Sequence, residues 1–151
     1  MHRGEFGVCS RNQQLKETDN AYWRVVKKYG LQEQLLDGTA IQFELCGPKI
    51  KKNRMGLKDV DGYMFQMYDI KASRYVLPCG YMPQVPVVHW GNDFQYSVQE
   101  LQDIAMSVTY ANSAPAEGIV VRAEMENIPD PSRPYIALRP SFKVINLNYK
   151  D

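Results

Sequence analysis

Two short apolar segments late in the chain constrain its fold most. Residues 117–122 read Glu-Gly-Ile-Val-Val-Arg, and residues 141–146 read Ser-Phe-Lys-Val-Ile-Asn. Runs of β-branched and aromatic residues of this length predict strands. Charged side chains accompany both segments, so the rim of the sheet that they form can meet a phosphate group or a metal ion.

The rest of the chain predicts an α+β domain. In residues 39–46, apolar Ile41, Phe43 and Leu45 alternate with Gln42 and Glu44, which is typical of a strand with one buried face. Further strands are predicted at 6–10, 62–70, 118–123, 135–138 and 141–147, and helices at 21–29, 31–36 and 97–110. Thr18 and Asp19 are predicted to cap the first helix. Ser97 and Glu100 form a capping-box pattern that opens the last helix, with Val98 expected to face inward. Because strands outnumber helices and do not alternate regularly with them, we expect largely antiparallel sheets flanked by helices.

Size and charge narrow the class of protein. The 151 residues suffice for one domain with a core, and 44% hydrophobic with 23% charged residues is ordinary for a globular fold. The net charge of +1 gives no general sign of a nucleic-acid partner, so any basic surface must be local. Lys49, Lys51, Lys52 and Arg54 form one candidate, with a solvated loop as the alternative.

The cysteines and the hydropathy pattern indicate the cellular compartment. The chain has an odd number of cysteines at wide spacing, Cys9, Cys46 and Cys79, which fits neither a disulfide framework nor a paired zinc signature. This favours buried, reduced thiols in a cytoplasmic protein. No apolar run reaches the roughly 18 residues of a membrane span, and no signal peptide is visible.

Several blocks in order resemble the motifs of ATP-dependent RNA ligases, the covalent nucleotidyltransferases that seal 3′-hydroxyl and 5′-phosphate ends in RNA repair. The blocks are Phe6 to Asn12, Phe43 to Pro48, Tyr68-Asp69-Ile70, Glu117-Gly118 and Lys143. The resemblance covers nearly the whole chain, so residues 1–151 are expected to form part of a ligase nucleotidyltransferase domain. A DNA ligase or capping-type relative is an alternative, which Ser10-Arg11-Asn12 and Gly47-Pro48 disfavour.

The resemblance implies a chemistry and its cofactors. In this family a lysine attacks the α-phosphate of ATP, the adenylate passes to the RNA 5′-phosphate, and the 3′-hydroxyl displaces AMP. ATP and Mg²⁺ (or Mn²⁺) are therefore the expected cofactors, and RNA ends the expected partners. Each step is a displacement at phosphorus, which depends on positioning, metal and charge neutralisation.

The resemblance also implies roles for individual residues. Lys143 would neutralise the α-phosphate, Glu117 would hold the metal or orient the nucleophile, and Glu44 would contact the ribose or a metal. Tyr68 would stack on adenine, and Arg11 would reach the ribose or a phosphate. The RNA backbone would be contacted by Lys51, Lys52 and Arg54. Arg122 is either a phosphate ligand or a surface charge.

The family's nucleophilic lysine, followed one residue later by Asp-Gly, has no counterpart here. The chain's Asp-Gly pairs are Asp37-Gly38 and Asp61-Gly62, and the residues two before them are Leu35 and Asp59. The motif is expected upstream of Phe6, beyond Met1. Residues 1–151 would then be a ligase fragment completed by an upstream segment or a separate subunit, or a non-catalytic module that binds nucleotide or RNA. The chain alone is not expected to adenylate itself.

Other departures from the family's pattern are smaller. Ser141 stands where the family often has a lysine two residues before Lys143, which leaves one cation. Phe43 and Lys49 stand at positions where glycine is common. The changes at Phe43 and Lys49 remove no known functional group.

Overall fold

The computed structural model describes residues 1–123, 128–130, 133–138 and 141–149. The helices are α1 (Ala21–Lys28), α2 (Leu31–Gln34) and α3 (Val98–Ser107). The strands are β1 (Thr39–Cys46), β2 (Asp61–Asp69), β3 (Arg74–Val76), β4 (Gly118–Arg122), β5 (Ile128–Asp130), β6 (Arg133–Leu138) and β7 (Ser141–Ile145). They form the antiparallel groups β1-β2-β3, β4-β7 and β5-β6, so the predicted α+β class with largely antiparallel sheet is confirmed.

Helix α1 supplies the centre of the hydrophobic core. Trp23, Val25 and Val26 are buried in a cluster that also contains Met64 of β2. The helix begins where the side chain of Asn20 accepts a hydrogen bond from the backbone N–H of Trp23 at 3.1 Å. The cap predicted at Thr18 and Asp19 is therefore wrong, because only the residue directly before the first turn places its oxygen within reach of the free N–H groups.

Strand β1 divides the molecule into an apolar side and a polar side. Ile41, Phe43 and Leu45 pack against the core cluster, whereas Gln42 and Glu44 on the opposite face are exposed. This alternation follows from the period of two in a strand and confirms the face predicted from the sequence. The exposed face of β1 is the one that carries a candidate site residue.

A β-bulge interrupts the pairing of β1 with β2. Phe43 lies opposite Met64, but the next pair is Gln42 with Gln66, so Phe65 is an extra residue in β2. A single extra residue moves the following side chains of that strand to the other face of the sheet. Periodicity in the sequence of β2 therefore does not predict its faces correctly beyond Phe65.

The β4–β7 pair packs against α3. The capping box predicted at Ser97 and Glu100 is present, and Leu101 and Ala105 are buried. Two details of the prediction are wrong: the helix ends at Ser107 rather than near Tyr110, and Val98 is 85% exposed rather than inward. Val98 is the first helical residue, and the following turn, not the first residue, meets the sheet.

The N-terminal segment differs from its prediction. Residues 6–10, which lie in the described part of the chain, form no named strand, and Cys9 makes one isolated bridge with Gln14. The chain turns back at once, since the N–H of Ser10 donates to the carbonyl of Gln13 at 2.9 Å. Val8 is nevertheless buried in the core cluster.

The cysteines and the remaining strands also refine the sequence analysis. All three cysteines are free, but Cys9 and Cys79 are exposed and Cys46 is only half-buried, so the predicted burial is wrong. Strands β3 and β5 were not expected, because segments of three residues carry too little periodicity. Among the described residues, no helix is long and apolar enough to cross a membrane.

Candidate active site

An open groove lies on the polar side of β1. Its walls come from the end of β1, the following loop, and the segments that flank β4 and β7. The lining residues are Glu44, Leu45, Cys46, Gly47, Ile50, Lys51, Lys52, Asn53, Arg54, Met55, Tyr110, Glu117 and Tyr149. The groove contains about 450 Å³ of space, part of which is open solvent.

Glu117 and Lys143 meet at the rim of the β4–β7 pair. Glu117 directly precedes β4, and Lys143 lies opposite Val120 in the register of the two strands. The Lys143 ammonium donates to Oε1 of Glu117, and Nζ of Lys51 lies 3.9 Å from Oε2. Two cations thus converge on one carboxylate, and the hydrogen bond from Lys143 lowers the pKa of Glu117.

The backbone conformation at position 118 explains why a glycine follows Glu117. Its φ of +140° is a conformation that L side chains rarely adopt, and a Cβ there would collide with the carbonyl oxygen of Val144. The N–H of Asn146 donates to the carbonyl of Glu117 at 2.9 Å on the same side. Close approach of β4 and β7 therefore requires glycine, and this approach brings Glu117 to Lys143.

Glu44 reaches the groove from β1. It lies opposite Tyr63 in β2 and is exposed on the polar face of the sheet. Glu44 and Glu117 are the two carboxylates that line the groove. Of the three side chains expected to act in catalysis, Glu44 and Glu117 therefore line the same groove, whereas Lys143 is connected to it through its ion pair with Glu117.

The basic loop after β1 forms one wall of the groove. Lys49, Lys51 and Asn53 all have positive φ, at 65°, 46° and 44°, which is uncommon for residues with a side chain. The side chain of Asn53 holds the turn, because Nδ2 donates to the carbonyl of Leu57 and Oδ1 accepts from its N–H. The candidate RNA-binding residues Lys51, Lys52 and Arg54 all line the groove.

Two tyrosines in the groove were missed by the sequence analysis. Tyr149 lies under the Arg54 guanidinium, whose carbon is 4.4 Å from the ring centroid. Burial and the neighbouring Tyr149 raise the pKa of Tyr110. Neither tyrosine belongs to a recognisable motif: Tyr110 ends a predicted helix, and Tyr149 follows a predicted strand.

Tyr68 lies on the same sheet face as Glu44 because of the β-bulge. It pairs with Ala40, and Ala40 shares its face of β1 with Gln42 and Glu44. Four residues along a strand separate these positions by about 13 Å, and Tyr68 is not among the residues that line the groove. Its ring packs edge-on against Tyr75 with centroids 5.0 Å apart.

Two candidate site residues, Arg11 and Arg122, lie outside the groove and differ in their surroundings. Arg11 is exposed in the turn after Cys9, and it is not part of the groove lining. Arg122 is half-buried, donates to the carbonyl of Phe65 at 3.0 Å and lies over the Phe65 ring. Arg122 therefore ties β4 to the bulge of β2.

The carboxylates of the groove are the candidate ligands for a metal ion. No group of three or more His, Cys, Asp or Glu side chains among the described residues is arranged to hold a metal ion. Two carboxylates, Glu44 and Glu117, do line one groove. Such a pair suits a divalent ion held jointly by one or two carboxylates and a phosphate, which is the usual arrangement for Mg²⁺.

Two lysines lie beside an Asp-Gly pair in space rather than in sequence. Nζ of Lys28 is 2.7 Å from Asp61, and the Tyr29 hydroxyl donates to the same carboxylate at 2.6 Å. Nζ of Lys71 is 3.3 Å from the carboxylate of Asp37. The hydrogen bond from Lys28 to Asp61 raises the pKa of that lysine. Both lysines are paired with a carboxylate, which is the arrangement of a structural ion pair.

Comparison with known proteins decides the family. The family model described as RNA ligase matches residues 1–145. The chain belongs to the RNA ligase family. No curated protein matches it.

Solved RNA ligases share the fold. The Naegleria gruberi RNA ligase solved with pyrophosphate is 26% identical, with a TM-score of 0.74 over 93% of this chain and 43% of that chain. A lysine variant of that ligase solved with ATP and manganese is 25% identical, with a TM-score of 0.73 over 93% and 43%. This RNA ligase family chain thus spans less than half the length of the solved relatives that it matches.

Proposed function

We propose that residues 1–151 form the nucleotide-binding part of an ATP-dependent RNA ligase that joins 3′-hydroxyl to 5′-phosphate ends, with RNA repair as its role. The observation that carries this proposal is that Glu44, Lys51 and Glu117 line one groove and that Lys143 pairs with Glu117 at its rim. Family membership supports the reaction class, and the similar Naegleria ligase was solved with pyrophosphate and, as a variant, with ATP and manganese.

The ion pair between Glu117 and Lys143 supports a specific exchange on nucleotide binding. Lys143 would turn its ammonium to the α-phosphate of ATP, which would free the Glu117 carboxylate to hold a divalent ion, Mg²⁺ or Mn²⁺. Glu44 would be the second carboxylate available to the ion or to the ribose. The ion would supply neutralisation of phosphate charge, which is a large part of catalysis in phosphoryl transfer.

Two further residues complete the proposed nucleotide site. Tyr68 stacks on adenine, which its position on the polar face of the β1–β2 pair supports. Base stacking of this kind contributes about 1–3 kcal/mol. Arg11 reaches the ribose or a phosphate from its exposed turn. Both roles come from the family resemblance.

RNA is proposed to follow the basic wall of the groove. Lys51, Lys52 and Arg54 contact its phosphates, so binding should weaken as the salt concentration rises. Because all three cysteines are free, a reducing compartment suits the chain, and we place this function in the cytoplasm.

The reaction needs a lysine that residues 1–151 do not carry in the family's motif. Its amine attacks the α-phosphorus of ATP, a P–N bond forms, and pyrophosphate leaves. An oxygen of the RNA 5′-phosphate then displaces the lysine. Finally the 3′-hydroxyl attacks the 5′-phosphorus, loses its proton, and releases AMP. We propose that a further segment or a separate subunit supplies the lysine.

A second candidate function is a module that binds nucleotide or RNA without catalysis. The absence of a lysine two residues before Asp37 and Asp61 favours this alternative over self-adenylation by the chain. Both candidates require the groove to bind ATP or RNA, and they differ only in whether a bond to adenylate forms.

Incubation with α-labelled ATP and Mg²⁺ tests the two candidates. The chain alone should stay unlabelled. A peptide or subunit that carries the lysine motif should become labelled in its presence, and Glu117→Gln should reduce that labelling. A stable label on a lysine of residues 1–151 would contradict our assignment of the nucleophile.

Thermal unfolding in the presence of ATP separates the remaining outcomes. ATP with Mg²⁺ should raise the melting temperature of the wild-type chain but not that of Lys143→Met. If ATP binds and the added lysine motif is never labelled, the non-catalytic candidate is favoured. If neither ATP nor RNA binds, both candidates fail.

A further inference from the structure

Arg54 differs from the other cations of the groove. Lys51 lies near the Glu117 carboxylate at 3.9 Å, and Lys52 is exposed to solvent. Arg54 is half-buried, its guanidinium stacks on Tyr149, and it forms no ion pair with a described residue. Its Nε is buried and has no hydrogen-bond partner in the described part of the chain.

The surroundings of Arg54 hold it in place from two sides. Its own carbonyl accepts from Nδ2 of Asn112 at 2.8 Å. On the other side, the N–H of Tyr149 donates to the carbonyl of Asn146 at 3.0 Å. Asn146 is fully buried, and its N–H donates to the carbonyl of Glu117 at 2.9 Å. The Arg54–Tyr149 stack is therefore linked through the backbone to Glu117 at the rim of the β4–β7 pair.

A guanidinium that is held in place, with no carboxylate partner in the part of the chain that the structure describes, suits a phosphate as its ligand. A phosphate offers several oxygen acceptors in the planar, two-pronged geometry that arginine matches. Stacking on an aromatic ring leaves the edge of the guanidinium available for such hydrogen bonds and removes the ordering penalty on binding. A lysine at this position would lack both properties.

We infer that Arg54, held against Tyr149, is a preorganised receptor for one phosphate group in the groove. The inference rests on the proposed function and sharpens it, because a half-buried, oriented arginine selects a defined phosphate, unlike the exposed Lys52. The phosphate belongs to the nucleotide or to the 5′-phosphate end of RNA. Both sources present non-bridging phosphate oxygens as hydrogen-bond acceptors.

Calorimetric titration of the wild-type chain and four variants tests the inference. The ligands are inorganic pyrophosphate, AMP, ATP, and a short RNA with either a 5′-phosphate or a 5′-hydroxyl. Arg54→Ala should weaken binding of the phosphate-bearing ligand about 10- to 100-fold, the loss expected for a charge-assisted hydrogen bond. Arg54→Lys should recover part of it, Tyr149→Phe should bind like wild type, and Tyr149→Leu should bind more weakly.

The pattern across ligands identifies the source of the phosphate. A loss for ATP and pyrophosphate with unchanged RNA binding assigns the nucleotide. A loss for the 5′-phosphate RNA, and none for the 5′-hydroxyl RNA, assigns the RNA end. Equal losses for both RNAs would overturn the inference in favour of ordinary backbone contact.

Further outcomes separate this inference from the proposed function. If Lys143→Met loses ATP binding while Arg54→Ala keeps wild-type affinity for every ligand, the inference fails and the proposed function stands. If the wild-type chain binds none of the ligands, both fail. Circular dichroism checks the fold, and if Arg54→Ala is unfolded, Arg54→Lys and Tyr149→Leu decide by the same criterion.

Discussion

The two faces of strand β1 use the same backbone for opposite purposes. Ile41, Phe43 and Leu45 pack against the core around α1, whereas Gln42 and Glu44 stay exposed on the groove side. The apolar side chains of the first face fill volume in the core, and the polar side chains of the second face contact solvent and the groove. A change on the core face should therefore alter the stability of the whole domain, and a change on the groove face should alter binding with little effect on stability.

The largest expected effect comes from the core face of the sheet. Met64 of β2 lies opposite Phe43 of β1, has no exposed surface and belongs to the core cluster. Met64→Ala should lower the free energy of unfolding by about 2–5 kcal/mol, because it leaves a cavity in a packed interior. Urea denaturation measures the change, and ATP binding should be lost only in proportion to the unfolded fraction.

Glu44→Gln is the matched change on the groove face. Its free energy of unfolding should stay within about 0.5 kcal/mol of wild type, as for most surface substitutions. The affinity for ATP with Mg²⁺ should fall in the fully folded protein. A large loss of stability in Glu44→Gln would break the comparison between the two faces.

A second test addresses the rim where β4 approaches β7. Gly118→Ala should destabilise the domain by about 1–3 kcal/mol, because the added Cβ meets the Val144 carbonyl and φ is +140°. Binding of ATP should also fall in the folded fraction, since Glu117 and Lys143 shift apart. Gly7→Ala is the control: a Cβ there makes only an ordinary contact with Gln14, and stability should be almost unchanged.

The ion pair at the rim gives a smaller, pH-dependent effect. Lys143 holds the pKa of Glu117 below its ordinary value of 4.5, so the folded form binds a proton less readily than the unfolded form. The stabilisation is present above that ordinary value and is lost as the pH falls through the lower, folded pKa. Lys143→Met should cost less than about 1 kcal/mol at pH 7, because the pair is partly exposed.

Denaturation at a series of pH values checks this prediction. The stability difference between wild type and Lys143→Met should be constant near neutral pH and vanish in acid. Lys143→Arg, which keeps the cation, should retain the pH dependence of wild type. A difference that grew with acidification would contradict the assigned direction of the Glu117 pKa.

The smallest effect is expected in the basic loop. Lys49 has a φ of 65° and does not line the groove. Lys49→Gly should raise stability or leave it unchanged, by up to about 1 kcal/mol, because glycine adopts this conformation without strain. Differential scanning calorimetry measures the shift, ATP affinity should match wild type, and a lower stability than Lys49→Ala would refute the strain argument.

Local patterns in the sequence were sufficient for the main elements and for part of the site. Alternation in residues 39–46, the capping box at Ser97 and the two closing strands were read correctly, because periods and caps depend on neighbouring residues. The ordered motifs also named Glu44 and Glu117, which line one groove, and Lys143, which pairs with Glu117. That residues 1–151 lack the family's lysine motif is likewise evident from the sequence.

Other properties depend on contacts between distant segments. The bulge at Phe65 decides which face Tyr68 occupies, and it exists only in the pairing of β2 with β1. The partner of Arg54 is Tyr149, far along the chain, and no local pattern links the two. Local rules determine which segments become strands and helices, but register and packing between those segments determine which side chains meet, and in this chain that meeting builds the groove.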